Sequence, residues 1–150
     1  MLQRFLLYRT YHGCAMGSAV QHASIAAWND EAHVCDNRAK YREKFATIAP
    51  MLADVMQVRR PDAGFYLWAG VPRGWRTPSH GRSDTAGHPG DDVAFARDLF
   101  AATHVTVLPG QYLGREAHGV NPGRGYVRMA LVPTIGDCVD AARRIVEFCR

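Results

Sequence analysis

Hydrophobic residues recur at helical spacing through the middle of the first half of the chain. Val34, Tyr41, Phe45, Ile48, Leu52 and Val55 follow one another at steps of 7, 4, 3, 4 and 3 residues, which is typical of an amphipathic helix. We therefore expect one helix over residues 29–58, kinked or restarted at Pro50 because proline lacks an N–H. At about 1.5 Å per residue this helix would run roughly 45 Å, longer than a small domain is wide. Such a helix indicates a bridge between two domains.

Shorter elements are predicted on both sides of this helix. An Ala-rich stretch over residues 18–28 predicts a helix capped by Gly17 or Ser18, with an apolar face too small to be stable uncovered. From residue 59 onward the order is β, α, β, β, α, with strands over 63–71, 104–108 and 126–132. The helices between and after them begin at Asp91 or Asp92 and at Thr134, where Asp137 completes a capping box. This order predicts an α/β chain of the α+β two-layer type, with helices on one side of a small sheet.

Glycine and proline concentrate in residues 70–90, which hold five Gly and three Pro. A loop of this length is a functional flap or a mobile insertion. A second Gly-rich segment precedes Gly125.

Composition and charge exclude several classes of protein. The chain has 150 residues, 47% of them hydrophobic, which is enough for one packed core. Its net charge of +4 comes from 16 arginines and two lysines scattered along the sequence, so we expect no nucleic-acid partner. No apolar run is long enough to span a membrane, and the start does not fit a secretory signal. Four separated cysteines without a CxxC motif favour reduced thiols, and we expect a cytoplasmic protein without membrane contact.

Polar residues offer few catalytic constellations. Two His-x-Cys pairs lie on different predicted elements without further ligands, so we expect no metal site. One Glu-Ala-His sequence lies in the second Gly-rich segment without a nucleophile beside it. These candidates are His12 with Cys14, His33 with Cys35, and Glu116 with His118.

Arg128 lies in the middle of a predicted strand, in the sequence YVRMALV. A guanidinium at a central strand position is costly unless it is paired. One interpretation places Arg128 on the solvent face of an edge strand. The other makes it a planar fork that recognises a carboxylate.

Several of these segments together resemble a known family. VTVLPGQYLG and GVNPGRGYVRMALV, preceded by AGFYLWAGVP and the helical NRAKYREKF, resemble the C-terminal part of class I/II aminotransferases, the fold-type-I enzymes that depend on pyridoxal phosphate. The opening LLYRTYHGCAMGSAVQHASIAAW is most similar to succinyldiaminopimelate aminotransferases. The resemblance implies that residues 1–28 end a large cofactor-binding domain, that 29–58 form the bridging helix, and that 59–150 form the small C-terminal domain.

The resemblance also implies an activity and its site residues. The intact enzyme would be a cytoplasmic homodimer that moves an amino group from an amino acid such as glutamate to a keto acid. The candidate keto acid is N-succinyl-2-amino-6-ketopimelate, in lysine and diaminopimelate biosynthesis. Arg128 would bind the substrate α-carboxylate, and Arg9 would reach the distal carboxylate in the neighbouring subunit's site. Two alternatives stay open: an aminotransferase of other specificity, such as aromatic or alanine, and a non-catalytic binding module that keeps the small-domain fold.

The Schiff-base lysine of this family belongs to a segment that would precede the chain. Lys40 and Lys44 lie in NRAKYREKF and match no catalytic position. We therefore expect a C-terminal fragment that is inactive alone and binds no pyridoxal phosphate, whereas the intact enzyme would use that cofactor. Uncovered apolar faces in such a fragment predict self-association.

Overall fold

The structure, a computed structural model, describes residues 1–13, 15–72, 75 and 91–150. The predicted loop over residues 70–90 falls largely outside these residues. The described chain forms two compact units, Met1–Arg38 and Ala39–Arg150. In chain order the elements are α1 (Leu2–His12), α2 (Ser18–Asn29), α3 (Ala32–Ala53), β1 (Gln57–Val58), β2 (Tyr66–Gly70), α4 (Asp92–Thr103), β3 (Leu108–Pro109), a 3-10 helix (Gly110–Tyr112), β4 (Tyr126–Ala130) and α5 (Ile135–Cys149).

The first unit contains α1, α2 and the start of α3. The helix α1 has no counterpart among the predicted elements, whereas α2 begins after Gly17, one of the two predicted caps. None of the described residues of α1 or α2 is buried, and Trp28 is 82% exposed. The apolar faces of both helices are therefore uncovered within this unit.

The helix α3 is shorter than the predicted helix over residues 29–58. Asn29 ends α2, and a new helix starts after Asp30, whose carboxylate accepts a hydrogen bond from the backbone N–H of Ala32 at 3.1 Å. The hydrogen bond from His33 lowers the pKa of Asp30, because it favours the carboxylate form. At the other end, Pro50 lies inside the last turn of α3 without ending it, and residues 57–58 form β1.

The described residues of the second unit form an antiparallel four-stranded sheet in the order β1-β2-β4-β3. Arg128 pairs with Trp68 on one side and with Leu108 on the other, so β4 is a central strand. The predicted strand over 104–108 is reduced to Leu108–Pro109. His104 ends α4 in the left-handed conformation, at φ 58°, and donates its N–H to Phe100, which delays the start of the strand.

One face of the sheet carries the hydrophobic core. Leu67 and Ala69 of β2 and Val127 and Met129 of β4 are buried there, as the two-residue period of a strand requires. Helices α3, α4 and α5 contribute to the same core through Phe45, Ile48, Leu52, Phe95, Leu99, Ala142 and Ile145. The prediction of an α+β arrangement, with a small sheet and helices, is confirmed.

Helices α4 and α5 begin largely as the sequence predicts. Asp91 caps α4 by accepting from the N–H groups of Val93 and Ala94, and Thr134 caps α5 by accepting from Asp137. In α4, Phe95 and Leu99 are buried, whereas Phe100 is 51% exposed. None of the described helices combines the length and the hydropathy needed to cross a bilayer.

Candidate functional site

The sheet face opposite the core carries aromatic residues and one cation. Tyr66 and Trp68 of β2 alternate with the buried residues, as do Tyr126 and Arg128 of β4, and we call these four residues the open sheet face. The rings of Trp68 and Tyr126 stack with their centroids 5.6 Å apart and their planes at 15°. The guanidinium carbon of Arg128 lies 4.3 Å from the centroid of the Tyr66 ring.

Arg128 combines features of both sequence interpretations. It lies on the face away from the core and is only half-buried, but its strand is central and not at an edge. No described residue accepts a hydrogen bond from its guanidinium or forms an ion pair with it. Its N–H donors are therefore available to an anion, and a planar carboxylate matches their geometry.

Two short segments that contain glycine, residues 110–114 and 121–125, pack against each other beside this face. A Cβ added at Gly110 would collide with the carbonyl oxygen of Gly123, and one added at Gly123 would collide with that of Gly110. A Cβ at Gly110 would also approach the Trp68 ring to 2.9 Å. The close packing of these segments therefore requires glycine at both positions.

The side chain of Asp92 binds both of these segments through hydrogen bonds. Its side chain is 0% exposed, and it accepts hydrogen bonds from the backbone N–H of Gln111 at 2.9 Å, the Gln111 side-chain amide at 3.1 Å and the N–H of Gly125 at 3.2 Å. Asn121 adds a further link by donating to the Gln111 carbonyl at 3.0 Å and accepting from Gly123 at 2.9 Å. These bonds fix the backbone that leads into β4 and so into Arg128.

The sequence predicts Asp92 only as a possible helix cap, and not this role. A signal was present, because Asp92 precedes Phe95, Ala96 and Leu99 at steps of three, four and seven residues. It therefore lies on the apolar stripe of its helix, where an aspartate must find buried hydrogen-bond donors.

Arg9 lies in the first unit and Arg128 in the second. Arg9 is exposed in the last turn of α1, where its carbonyl accepts from the N–H of Gly13 at 2.9 Å. Beside it, Leu2, Phe5 and Leu6 line a shallow surface depression. Its guanidinium makes no ion pair with a described residue.

Lys44 connects two parts of the fold through hydrogen bonds. Its ammonium donates to the carbonyl oxygens of Leu131, Val132 and Pro133 at 2.9, 3.3 and 2.6 Å. Three acceptors use all three N–H donors of a lysine, so this side chain ties α3 to the segment between β4 and α5. Lys40 is exposed on the same helix.

The described residues do not fit pyridoxal phosphate. An imine-forming lysine needs a free amine in a desolvated setting, whereas the Lys44 ammonium is bound by three carbonyls. At the helix starts, the N–H groups of Val93 and Ala94 in α4 bind Asp91 and that of Asp137 in α5 binds Thr134, which removes donors that a phosphate would use.

The other sequence candidates do not come together as a site. His33 pairs with Asp30 at 3.0 Å, Cys35 is exposed, and Cys14 lies outside the described residues. Across residues 1–13, 15–72, 75 and 91–150, no three His, Cys, Asp or Glu side chains gather at metal-binding distance. Glu116 and His118 are exposed in a turn.

The cysteines of α5 are poor nucleophiles. Burial raises the pKa of Cys149 to about 11 and also raises that of Cys138. The thiol is therefore the dominant form of both at neutral pH, and the thiolate is the reactive one.

A small antiparallel sheet with helices, joined to a long helix, is the arrangement of the C-terminal portion of fold-type-I aminotransferases. An aminotransferase of known structure from Neisseria meningitidis Z2491 shares 50% identity with the chain at a TM-score of 0.78, over 99% of the chain and 34% of its own length. The resemblance stated from the sequence is thus confirmed: the chain is related to these enzymes and corresponds to their C-terminal portion.

Two further relatives have more specific names. The LL-diaminopimelate aminotransferase of Nitratidesulfovibrio vulgaris (strain DSM 19637 / Miyazaki F) is 31% identical over 132 residues, which are 87% of this chain and 29% of that protein. A probable N-succinyldiaminopimelate aminotransferase from Thermus thermophilus is 29% identical, with a TM-score of 0.58 over 79% of this chain and 26% of its own. The chain therefore spans about a third or less of the length of these relatives. No protein-family profile matches it.

Proposed function

We propose that this chain is the substrate-carboxylate-binding part of an aminotransferase. The complete enzyme transfers an amino group between an amino acid, with glutamate as donor, and a keto acid, with N-succinyl-2-amino-6-ketopimelate as acceptor in lysine biosynthesis. The names of two relatives support a diaminopimelate-type substrate, and only that of the Thermus protein specifies the N-succinylated form. Pyridoxal phosphate, on which aminotransferases depend, is held by parts of the enzyme outside this chain.

The same proposal assigns a role to each part of the sequence. Residues 1–28 end the large domain, residues 29–58 bridge the domains, and residues 59–150 form the small domain. The enzyme is a cytoplasmic homodimer, and Arg9 reaches the distal carboxylate of the substrate in the neighbouring subunit's site. This chain alone does not transaminate.

The guanidinium of Arg128 on the open sheet face, with no hydrogen-bond acceptor or ion-pair partner among the described residues, is the observation that carries the proposal. Every amino-acid and keto-acid substrate has an α-carboxylate, so one fixed recogniser serves both halves of the reaction. Two parallel N–H···O bonds fix both the position of a carboxylate and its rotation. Rotation matters because a misplaced reacting bond costs about 100-fold in rate. A central strand supplies the required rigidity.

The proposal is tested in a chimera that places this chain in a complete enzyme. The matching C-terminal portion of the Neisseria aminotransferase is replaced by residues 1–150, a design that the 50% identity supports. Arg128→Lys keeps the charge but loses the planar fork, so we expect a loss of about 2–4 kcal/mol in transition-state binding, measured as kcat/KM. Arg124→Lys, an exposed arginine in the adjacent loop, is the matched control.

The outcomes separate the proposal from its alternatives. Near-normal kcat/KM in the Arg128→Lys chimera would contradict carboxylate binding by this residue. A better kcat/KM for an aromatic keto acid or pyruvate than for the succinylated one would favour another specificity. An inactive chimera whose isolated 150-residue chain still binds a carboxylate through Arg128 would favour the non-catalytic module.

A further inference from the structure

Tyr66 is the aromatic residue whose ring lies against the guanidinium of Arg128. The distance from the guanidinium carbon to the ring centroid is 4.3 Å, within the range of a cation–π contact. The contact follows from the register of the sheet. Tyr66 pairs with Ala130, so it is the diagonal neighbour of Arg128 on the same face, close enough for an aromatic and a long side chain to meet.

A ring and a carboxylate engage different parts of a guanidinium. The ring attracts the flat face of the cation, whereas the N–H donors point outward along its edge. An acidic partner would also orient Arg128, but it would occupy the donors that a ligand needs and neutralise the charge. The Tyr66 ring restrains the cation and leaves the edge open, which matches the lack of any described hydrogen-bond acceptor on Arg128.

Tyr66 is itself held in place by neighbouring rings. Its centroid lies 4.0 Å from that of Phe65, which in turn lies 6.1 Å from that of Tyr41 on α3. The carbonyl of Phe65 accepts from the N–H of Leu131 at 2.9 Å, which fixes this end of β2 to the segment after β4. The Phe65 ring therefore packs against the Tyr66 ring and restrains it.

We propose that Tyr66 is a positioning residue that holds the Arg128 guanidinium in the orientation required for a substrate carboxylate. This inference rests on the proposed function of Arg128 and extends it to a residue that touches no substrate. Because the hydroxyl takes no part in the contact, the aromatic ring alone carries the effect.

Two substitutions in the chimera separate the ring from the hydroxyl. Tyr66→Leu removes the ring, and we expect KM for both the amino-acid and the keto-acid substrate to rise about three- to ten-fold, with a smaller change in kcat. Tyr66→Phe keeps the ring and should leave both constants near wild type. Tyr66→Ile is a second ring-free variant suited to a strand, in case the leucine variant fails to fold. Phe100→Leu removes an exposed ring from α4 and serves as the matched control.

Coupling to Arg128 distinguishes positioning from a general loss of stability. In an Arg128→Gln background the ring has no cation to hold, so Tyr66→Leu should raise KM no further. A full additional rise in that background, or wild-type KM in the folded Tyr66→Leu and Tyr66→Ile variants, would overturn the inference. If Arg128→Lys costs activity and these variants do not, only the role of Tyr66 fails. If Arg128→Lys is itself neutral, the proposed function fails first.

Discussion

The carboxylate of Asp92 accepts a hydrogen bond from the backbone N–H of Gly125 at 3.2 Å, three residues before Arg128. A buried side chain in the first turn of α4 is thereby connected to the base of the strand that carries the candidate ligand-binding residue. The same carboxylate also binds the backbone N–H of Gln111, at 2.9 Å, so it fixes the segment after β3 as well. The geometry around Arg128 therefore depends on a residue on the other side of the sheet.

The first prediction concerns this buried carboxylate. Asp92→Asn replaces one acceptor oxygen by an NH₂ group, which would face a backbone N–H, and the buried donor loses its partner. We expect the free energy of unfolding to fall by about 1–3 kcal/mol, measured by urea denaturation of the 150-residue chain. Asp91→Asn is the matched control, because asparagine caps a helix as well as aspartate does. Equal losses in the two variants would contradict the special role of Asp92.

The sequence predicts best where a residue's neighbours in the chain determine its structure. The Thr134 cap with Asp137 is local, and so is the alternation that places Val127 in the core and Arg128 opposite it. The contact between Arg128 and Tyr66 depends on the register between two strands that are far apart in sequence. No local pattern specifies that register, so the contact could not be predicted.

The elements missed by sequence reasoning have physical causes too. Helix α1 places apolar residues such as Phe5 and Leu7 on several sides, so its periodicity is weak. The break before α3 depends on the side chain of Asp30, which the apolar stripe from Val34 does not reveal. The hydrophobic pattern alone therefore misses α1 and starts α3 too early, at residue 29.

The second prediction is that the chain alone forms no aldimine with pyridoxal phosphate. Covalent cofactor chemistry needs a desolvated lysine with a free amine, and Lys44 is held by three carbonyl oxygens. Absorbance spectroscopy of the 150-residue chain with added cofactor should show no stoichiometric aldimine band. A band that disappears in Lys40→Met or Lys44→Met would contradict this expectation.

The structural role of Lys44 gives a separate expectation. Lys44→Met should lower the melting temperature of the chain, because three carbonyl oxygens lose their hydrogen-bond donor.

The third prediction is that the isolated chain self-associates through residues 1–28. Leu6 and Trp28 are large apolar residues exposed on α1 and α2, and uncovered apolar patches promote association. Sedimentation velocity should show a mass that rises with concentration. Leu6→Asn combined with Trp28→Asn should shift the chain toward monomer, whereas Val132→Asn, an exposed apolar position in the second unit, should not. A monomer at all concentrations would refute the expectation.

The last prediction concerns substrate reach by Arg9. This residue is exposed on α1 and has no described ion-pair partner, so its charge is available to a distal carboxylate. In the chimera, Arg9→Ala should raise KM for the succinylated keto acid far more than for a neutral keto acid, because only the former offers the second carboxylate. Arg4→Ala removes an exposed cation from the same helix and serves as the control. Because α-carboxylate binding is assigned to Arg128, kcat for the neutral substrate should not change. Equal increases in KM for both substrates would remove Arg9 from the site and leave it a surface residue of α1.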